Sequence, residues 1–440
     1  MSEKEFSGYK GEALASIRKV GADVGDLIRV TKQKEAHEGI LIPRSEYGDE
    51  THIVVKLKNG YNIGIEITPD TTIERIGKGT KPTFAAPPQP EQNPQLPRVT
   101  ILSTGGTIAS RVDYRTGGVR PALTAGDLYS VVPELAGIAR INAQILFSLF
   151  SENMTPQQWG ELATAIAEQA GKGVDGVVIA HGTDTMGYTA AALSFALQNL
   201  PIPIIIVGAQ RSADRPSSDA ATNLIGAVTA AARAPFAEVT IAMHETMSDD
   251  SIVFHRGTKV RKCHTSRRDA FKSVNASPVA RIKNRELTML TQDYKKRGAS
   301  QRLTLKPEFN DKVALVKFYP GMNPAVIDWL VDQDYRGIIL EGTGLGHISM
   351  KSFGAVRKAI VKNVIVGMTS QCVWGRVNMN VYDAGRDLQA QGVIPLEDIL
   401  PETALVKLMW VLGQTKDTDK AKRLLETNVA REISPRTLPE

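Results

Sequence analysis

Apolar residues in this chain come in short runs, and the runs change character near residue 98. Before that point they alternate with polar residues at a period close to two. Asp26-Leu27-Ile28-Arg29-Val30, Glu38-Gly39-Ile40-Leu41-Ile42, His52 to Lys58 and Tyr61 to Ile67 read as strands. The last two flank Asn59-Gly60, residues that tolerate the positive φ angles of a type I′ turn, so they read as a hairpin. Several strands in so short a span predict a small β-barrel over residues 1–77. Between Gly77 and Pro97 stand Pro82, Pro87, Pro88, Pro90, Pro94 and Pro97. Proline cannot donate to a ladder and fixes φ, which predicts an extended tether over 78–97 and a domain boundary there.

From Arg98 onward, apolar runs alternate with helical stretches, the signature of a doubly wound α/β fold. Strands are expected from Val99, at Ile145-Leu146-Phe147, Gly176–Ala180, Ile202–Val207, Val313–Phe318, Gly337–Leu340 and Val364–Met368. Thr155-Pro156-Gln157-Gln158 opens a helix: Thr155 caps it, Pro156 takes the first helical position and Gln158 completes a capping box. Trp159, Leu162 and Ile166 give that helix its apolar face, and Gly171 ends it. Further helices are expected up to Arg233, around Val326–Val331, over Phe353–Val361 and around Ala404–Leu412. The fold class is therefore α/β, with one doubly wound domain over 98–300 and a smaller C-terminal α/β domain over 301–440.

Two of the strands end in the same way. Val99-Thr100-Ile101-Leu102-Ser103-Thr104 stops at Gly105-Gly106 and presents Thr107, while Gly176-Val177-Val178-Ile179-Ala180 runs into His181-Gly182-Thr183-Asp184-Thr185. Open α/β sheets bind ligands at the carboxyl ends of their strands, so Thr107 and Thr183-Asp184 are expected at one edge. A threonine hydroxyl is a poor nucleophile near neutral pH unless a base or a charged neighbour activates it. Asp184 supplies a carboxylate and a desolvated lysine would supply a base. Residue types alone do not identify that lysine. Each threonine taken singly would equally serve as a helix cap or an ST-turn. The polar stretch Arg111 to Arg120 has the composition of a lid or of an ordinary exposed loop.

Composition narrows the partners. A net charge of +6 over 440 residues is mild and does not itself indicate nucleic-acid binding. The basic run from Arg256 to Arg285 reads either as a solvated face or as a surface for RNA or another protein chain. Two cysteines, Cys263 and Cys372, form no CxxC pair and fit a reducing interior. No apolar run reaches the ~18 residues of a membrane helix, and the N-terminal residues are not a signal peptide, so a cytoplasmic location is expected. Gly342-Thr343-Gly344-Leu345-Gly346 breaks dinucleotide-binding spacing, and there is neither a P-loop nor a G-x-S-x-G elbow. His244-Glu245 lacks the second histidine of a zincin, so no metal is expected.

Together the motifs resemble the L-asparaginase family. Ser103 to Ala109 is similar to that family's first threonine motif and Ala180 to Met186 to its second. Ala270-Phe271-Lys272-Ser273-Val274-Asn275 resembles the motif with the catalytic lysine, and Ser151-Glu152-Asn153-Met154 the turn that grips the substrate's α-groups. The resemblance implies Thr107 as nucleophile, Thr183, Asp184 and Lys272 as the activating relay, and Tyr114 as an assistant to Thr107. It also implies substrate binding by Ser151, Glu152 and Asp184, although many members carry Gln where Glu152 stands, and it implies a homodimer.

Simple asparaginases lack the barrel and tether. With them, the layout resembles the D-subunit family of archaeal glutamyl-tRNA(Gln) amidotransferases, through Gly25 to Val30 and Val55 to Gly64. That resemblance implies a glutaminase supplying ammonia to a partner, the amidotransferase E-subunit, which amidates Glu-tRNA(Gln). The implied assembly is a heterotetramer built on the homodimer. No cofactor is expected in this chain, with ATP and Mg at the partner. A free-standing asparaginase or glutaminase is the alternative, distinguished by rapid turnover without partner or tRNA. A non-catalytic binding protein would have no need of so complete a reactive set.

Overall fold

The computed structural model describes residues 8–33, 35–44, 49–58, 61–78, 93–105, 108, 110–113, 118–121, 128–129, 132–211, 217–298 and 302–437. A helix at Gly11–Lys19 precedes five strands: β1 (Leu27–Lys32), β2 (Glu35–Leu41), β3 (His52–Leu57), β4 (Asn62–Glu66) and β5 (Thr71–Gly77). They form an antiparallel sheet in the order β4-β3-β2-β1-β5. Alternation sends Ile28 and Val30 to one face, where Leu41, Ile53, Val55 and the helix residues Ala13 and Ile17 meet them. The β3–β4 hairpin forms as expected, with Lys56 opposite Asn62, while the Asn59-Gly60 turn lies outside the described residues. Among the described residues no ladder joins β4 to β5.

The second lobe begins with β6 (Arg98–Gly105). The stretch read as a lid or an exposed loop contains a ribbon of β7 (Ser110–Asp113) against β8 (Gly118–Pro121). Then come β9 (Arg140–Leu149), β10 (Gly176–Ala180), β11 (Leu197–Gln198), β12 (Ile204–Val207), β13 (Val239–His244), β14 (Ser251–Arg256), β15 (Val260–Lys262), β16 (Phe271–Ser273), β17 (Ala280–Lys283) and β18 (Glu286–Met289). The main sheet runs β18-β17-β14-β13-β12-β10-β6-β9, parallel from β13 through β9. Strand β12 starts two residues later than expected, because Pro201 and Pro203 have no N–H to donate.

Its central strands are apolar on both faces, as a sheet covered on both sides requires. Val99, Ile101, Val178 and Ala180 pack under the helix Ala220–Arg233. Leu102, Val177 and Ile179 pack under the helices Pro156–Gly171 and Met186–Ala196. Burying each large aliphatic side chain contributes about 1.5–3 kcal/mol. The expected capping box forms at Thr155 and Gln158.

A short β19 (Thr304–Leu305) pairs with β11, and the third lobe is the parallel sheet β20 (Val313–Lys317), β21 (Gly337–Gly342), β22 (Ile365–Ser370) and β23 (Ile394–Pro395). The helix Met186–Ala196 is apolar all round because it is shared. Ala190 and Leu193 face the main sheet, while Ala191, Ala192 and Phe195 meet the helix Pro401–Gln414. Phe195 stacks on Trp410 with ring centroids 5.8 Å apart. No helix among the described residues is long and apolar enough to cross a membrane.

One buried ion pair joins the second lobe to the third, and another lies within the third. Lys259 Nζ lies 2.7 Å from Asp398 Oδ2, the two side chains 1% and 2% exposed. Lys407 Nζ lies 2.6 Å from Glu432 Oε1 with neither side chain exposed. The same ammonium donates to Thr427 O at 2.7 Å, and Glu432 accepts the Val429 and Ala430 amides. Burial pushes the Lys407 pKa down, opposed by the Glu432 charge. Lys407→Met keeps the volume but leaves the Glu432 carboxylate buried without its counter-charge. We expect a loss of roughly 3–5 kcal/mol in urea unfolding of the full chain. A loss under about 1 kcal/mol would show the carboxylate already satisfied by the two amides.

Candidate active site

Strands β6, β10 and β12 lie side by side and parallel, with Ala180 level with Ser103 on one side and Val207 on the other. Their ends are tied across the ladder: Thr104 Oγ1 donates to Ala180 O at 3.1 Å and the His181 amide to Val207 O at 3.0 Å. Gly105 has φ +120°, and a Cβ there would come within 2.0 Å of Leu149 O. Only glycine fits where β6 swerves against β9. Thr107, two residues beyond the end of β6, and Tyr114 lie outside the described residues.

The second threonine lies on the turn between β10 and the helix Met186–Ala196. Lys262 Nζ donates to Thr183 Oγ1 and to Asp184 Oδ1, both at 2.8 Å. The Lys262 side chain is only 14% exposed, whereas that of Asp184 is 69% exposed, so the carboxylate keeps a face toward solvent. A hydroxyl that accepts from an ammonium is left with its own proton to donate. Hydroxyl, amine and carboxylate thus form one connected unit at the sheet edge.

The structure does not bring Lys272 to this unit. Its Nζ lies 2.9 Å from Asp269 Oδ2, on a side chain 43% exposed. The reason is parity in the ribbon of β15 and β16, where Lys262 stands opposite Phe271 and Arg261 opposite Lys272. Cross-strand partners share a face and neighbours along a strand do not, so the two lysines point to opposite faces. The ten-residue offset between them gave no cue in the sequence: the connection from Cys263 to Ala270 contains no glycine or proline to announce a hairpin or fix its register.

Ser151 and Glu152 open a 3₁₀ turn, Ser151–Asn153. Ser151 is buried against the second motif: its carbonyl accepts Thr185 Oγ1 at 2.6 Å, and a Cβ on Gly182 would lie 2.8 Å from Ser151 Cβ and Oγ. Glu152 is on the exposed side of the turn. The Ser151–Asn153 turn and the turn that carries Thr183 and Asp184 are therefore in contact.

The basic run is largely neutralised within the fold. Arg256 meets Glu238, Arg261 meets Glu402, Arg267 and Lys272 share Asp269, Arg268 meets Asp249, Arg281 meets Glu245 and Lys283 meets Asp250. These cations answer nearby carboxylates and do not form an open polycationic face. Among the described residues no group of three or more His, Cys, Asp and Glu side chains is placed to hold a metal ion.

Comparison with known proteins matches each lobe. The asparaginase N-terminal family covers residues 98–295, the glutaminase/asparaginase C-terminal domain family 312–425, and the GatD N-terminal domain family 22–76. The glutamyl-tRNA(Gln) amidotransferase D-subunit of Pyrococcus furiosus is 52% identical over 429 residues, 96% of this chain and 98% of that protein. The protein of the same name from Metallosphaera sedula is 50% identical over 434 residues, 98% and 97% of the two chains. Among solved structures, the thermostable L-asparaginase from Thermococcus kodakarensis superposes with TM-score 0.68 at 33% identity, covering 77% of this chain and 100% of its own. With half its residues shared along nearly its whole length, this chain belongs to the glutamyl-tRNA(Gln) amidotransferase D-subunit family and carries its amidohydrolase lobes on an asparaginase fold.

Proposed function

We propose that this chain is the glutaminase component of a tRNA-dependent amidotransferase, releasing ammonia from glutamine for the conversion of Glu-tRNA(Gln) to Gln-tRNA(Gln) on a partner. The observation that carries this reading over a free-standing asparaginase is coverage. The Thermococcus asparaginase is accounted for completely by 77% of this chain, whereas the D-subunit relatives also span the N-terminal sheet and its tether. An asparaginase body needs neither, so the extra lobe points to work done with a partner.

In this reading the chain comprises a small N-terminal β domain, the 78–97 linker, a catalytic α/β domain to about residue 300 and a C-terminal α/β domain. Ser151, Glu152 and Asp184 hold the α-carboxylate and α-amino group of glutamine. Thr107 Oγ attacks the side-chain amide carbon while its proton passes toward the leaving nitrogen. The C–N bond breaks, ammonia departs, and a glutamyl ester remains on Thr107. Water then cleaves the ester to give glutamate and the free hydroxyl, so atoms balance over the two steps. The unit of Thr183, Asp184 and Lys262 takes and returns the proton, with Lys262 in the role that the motif resemblance gave to Lys272. Tyr114 assists Thr107. ATP and Mg act at the E-subunit, in a cytoplasmic heterotetramer built on a homodimer of this chain.

The lysine assignment is tested by a pair of variants. Lys262→Met should lower kcat for glutamine hydrolysis by more than ~100-fold, as loss of a relay member does. Lys272→Met removes an exposed pair worth at most ~1 kcal/mol and should change kcat no more than about threefold. The reverse ranking would restore Lys272 as the relay lysine.

The partner assignment is tested by glutamate release from the chain alone, with the E-subunit, and with the E-subunit plus Glu-tRNA(Gln). A hydrolase that wasted no glutamine would rise stepwise, and a tenfold rise needs only ~1.4 kcal/mol of preference for the active arrangement. Full-speed hydrolysis by the lone chain, unmoved by both additions, would identify a free-standing amidohydrolase.

A further inference from the structure

At the carboxyl end of β10 stands a histidine for which the proton relay has no use. His181 is 1% exposed. Its Nδ1 lies 2.6 Å from the carbonyl oxygen of Gly182, and its Nε2 lies 2.9 Å from Thr189 Oγ1. Thr189 is fully buried in the first turns of the helix Met186–Ala196, and its hydroxyl accepts Trp159 Nε1–H at 3.1 Å.

The direction of every bond in this chain follows from the donor inventory. A carbonyl oxygen only accepts, so the ring proton is on Nδ1. Burial pushes the imidazole down to about 4, so the ring is neutral at pH 7 and Nε2 is a bare acceptor. Indole N–H only donates, which leaves the Thr189 hydroxyl to accept from Trp159 and give its single proton to Nε2. The chain therefore reads Trp159 to Thr189 to His181 to the Gly182 carbonyl, without a free choice at any link.

The last link falls on a peptide that would otherwise be loose. Gly182 is glycine because Ser151 approaches too closely for a Cβ, and glycine has the widest backbone freedom of any residue. Rotation of the peptide between Gly182 and Thr183 would carry Thr183 and Asp184 away from Lys262. A carbonyl held by a buried, neutral, single-tautomer imidazole cannot rotate without breaking that bond. Trp159, at the head of the chain, belongs to the helix that follows the Ser151–Asn153 turn, so the same bonds link both substrate-facing turns.

We propose that His181 is a positioning residue for amide hydrolysis: through Trp159 and Thr189 it fixes the plane of the Gly182–Thr183 peptide and so holds Thr183 and Asp184 against Lys262. The proposal rests on the hydrolase reading above.

Two measurements on the full chain with the E-subunit and Glu-tRNA(Gln) available test it. The first is ¹⁵N NMR of histidine-labelled protein, which holds seven histidines, with His181→Asn used to assign the His181 signals. At pH 7 His181 should be the Nδ1–H tautomer, and an Nε2–H or doubly protonated ring would overturn the proposal whatever any variant does. The second is kcat per folded molecule for Thr189→Ser and Thr189→Val. Serine keeps the hydroxyl and should keep kcat within about twofold. Valine deletes the proton given to Nε2, and kcat should fall roughly tenfold or more, since small misplacements of reacting groups cost that much. A valine variant that folds and keeps the unmodified kcat would overturn the positioning role. If valine does not fold, Trp159→Phe replaces it: a lowered kcat supports the chain and an unchanged kcat overturns it. No glutamate release even by the unmodified chain would refute the hydrolase reading itself, and the positioning role with it, however the tautomer reads.

Discussion

Parallel strands end on the same side of a sheet, and the ladder that sets Gly176 to Ala180 against Val99 to Ser103 leaves the backbone no choice about where both motifs emerge. Everything chemical in this protein depends on that register. A slip of one residue would turn Val178 and Ile179 to the wrong faces of a sheet that is apolar on both sides, and would carry Thr183 along the strand axis by about 3.3 Å. The cores that lock the register are thus also what holds the second threonine motif at a fixed height beside the first. Cross-strand bonds from Thr104 and the His181 amide add direction to what packing has already located.

Charge is handled differently at the edge and in the interior. Inside, Lys259 with Asp398 and Lys407 with Glu432 are buried pairs, and each ammonium also donates to a backbone carbonyl. The first ties the second lobe to the third, and the second ties the C-terminal residues to the helix Pro401–Gln414. At the edge, Lys262 is nearly buried but Asp184 is largely open, so the pair is unsaturated on the side a substrate would enter. Exposure of the carboxylate separates the two kinds of pair: Asp398 and Glu432 are buried, whereas Asp184 is 69% exposed.

Much of the fold was legible because its signals are local. Period-two runs, the Thr155–Gln158 capping box and the β-branched strands before each threonine motif mark elements that formed close to their expected bounds. Two features were not legible, for physical reasons. That Lys262 and not Lys272 lies beside Thr183 and Asp184 follows from the parity of the β15–β16 ribbon, a pairing fact that no property of either lysine encodes. The role argued for His181 depends on Thr189 and Trp159, eight and twenty-two residues away, meeting it through a helix packing that only tertiary structure fixes. Strand count limits barrel closure without deciding it, and among the described residues the five N-terminal strands form one antiparallel sheet with no ladder from β4 to β5.

Hydrolysis of an amide at this sheet edge through a covalent threonine ester is tested most directly by trapping the ester-forming residue. An electrophilic diazoketone analogue of glutamine would be incubated with the full chain and its partner, and the product followed by peptide mass spectrometry. One stoichiometric adduct is expected on Thr107, absent from Thr107→Ala and slowed in Lys262→Met. An adduct confined to another residue, with glutamine turnover intact in Thr107→Ala, would contradict the covalent route.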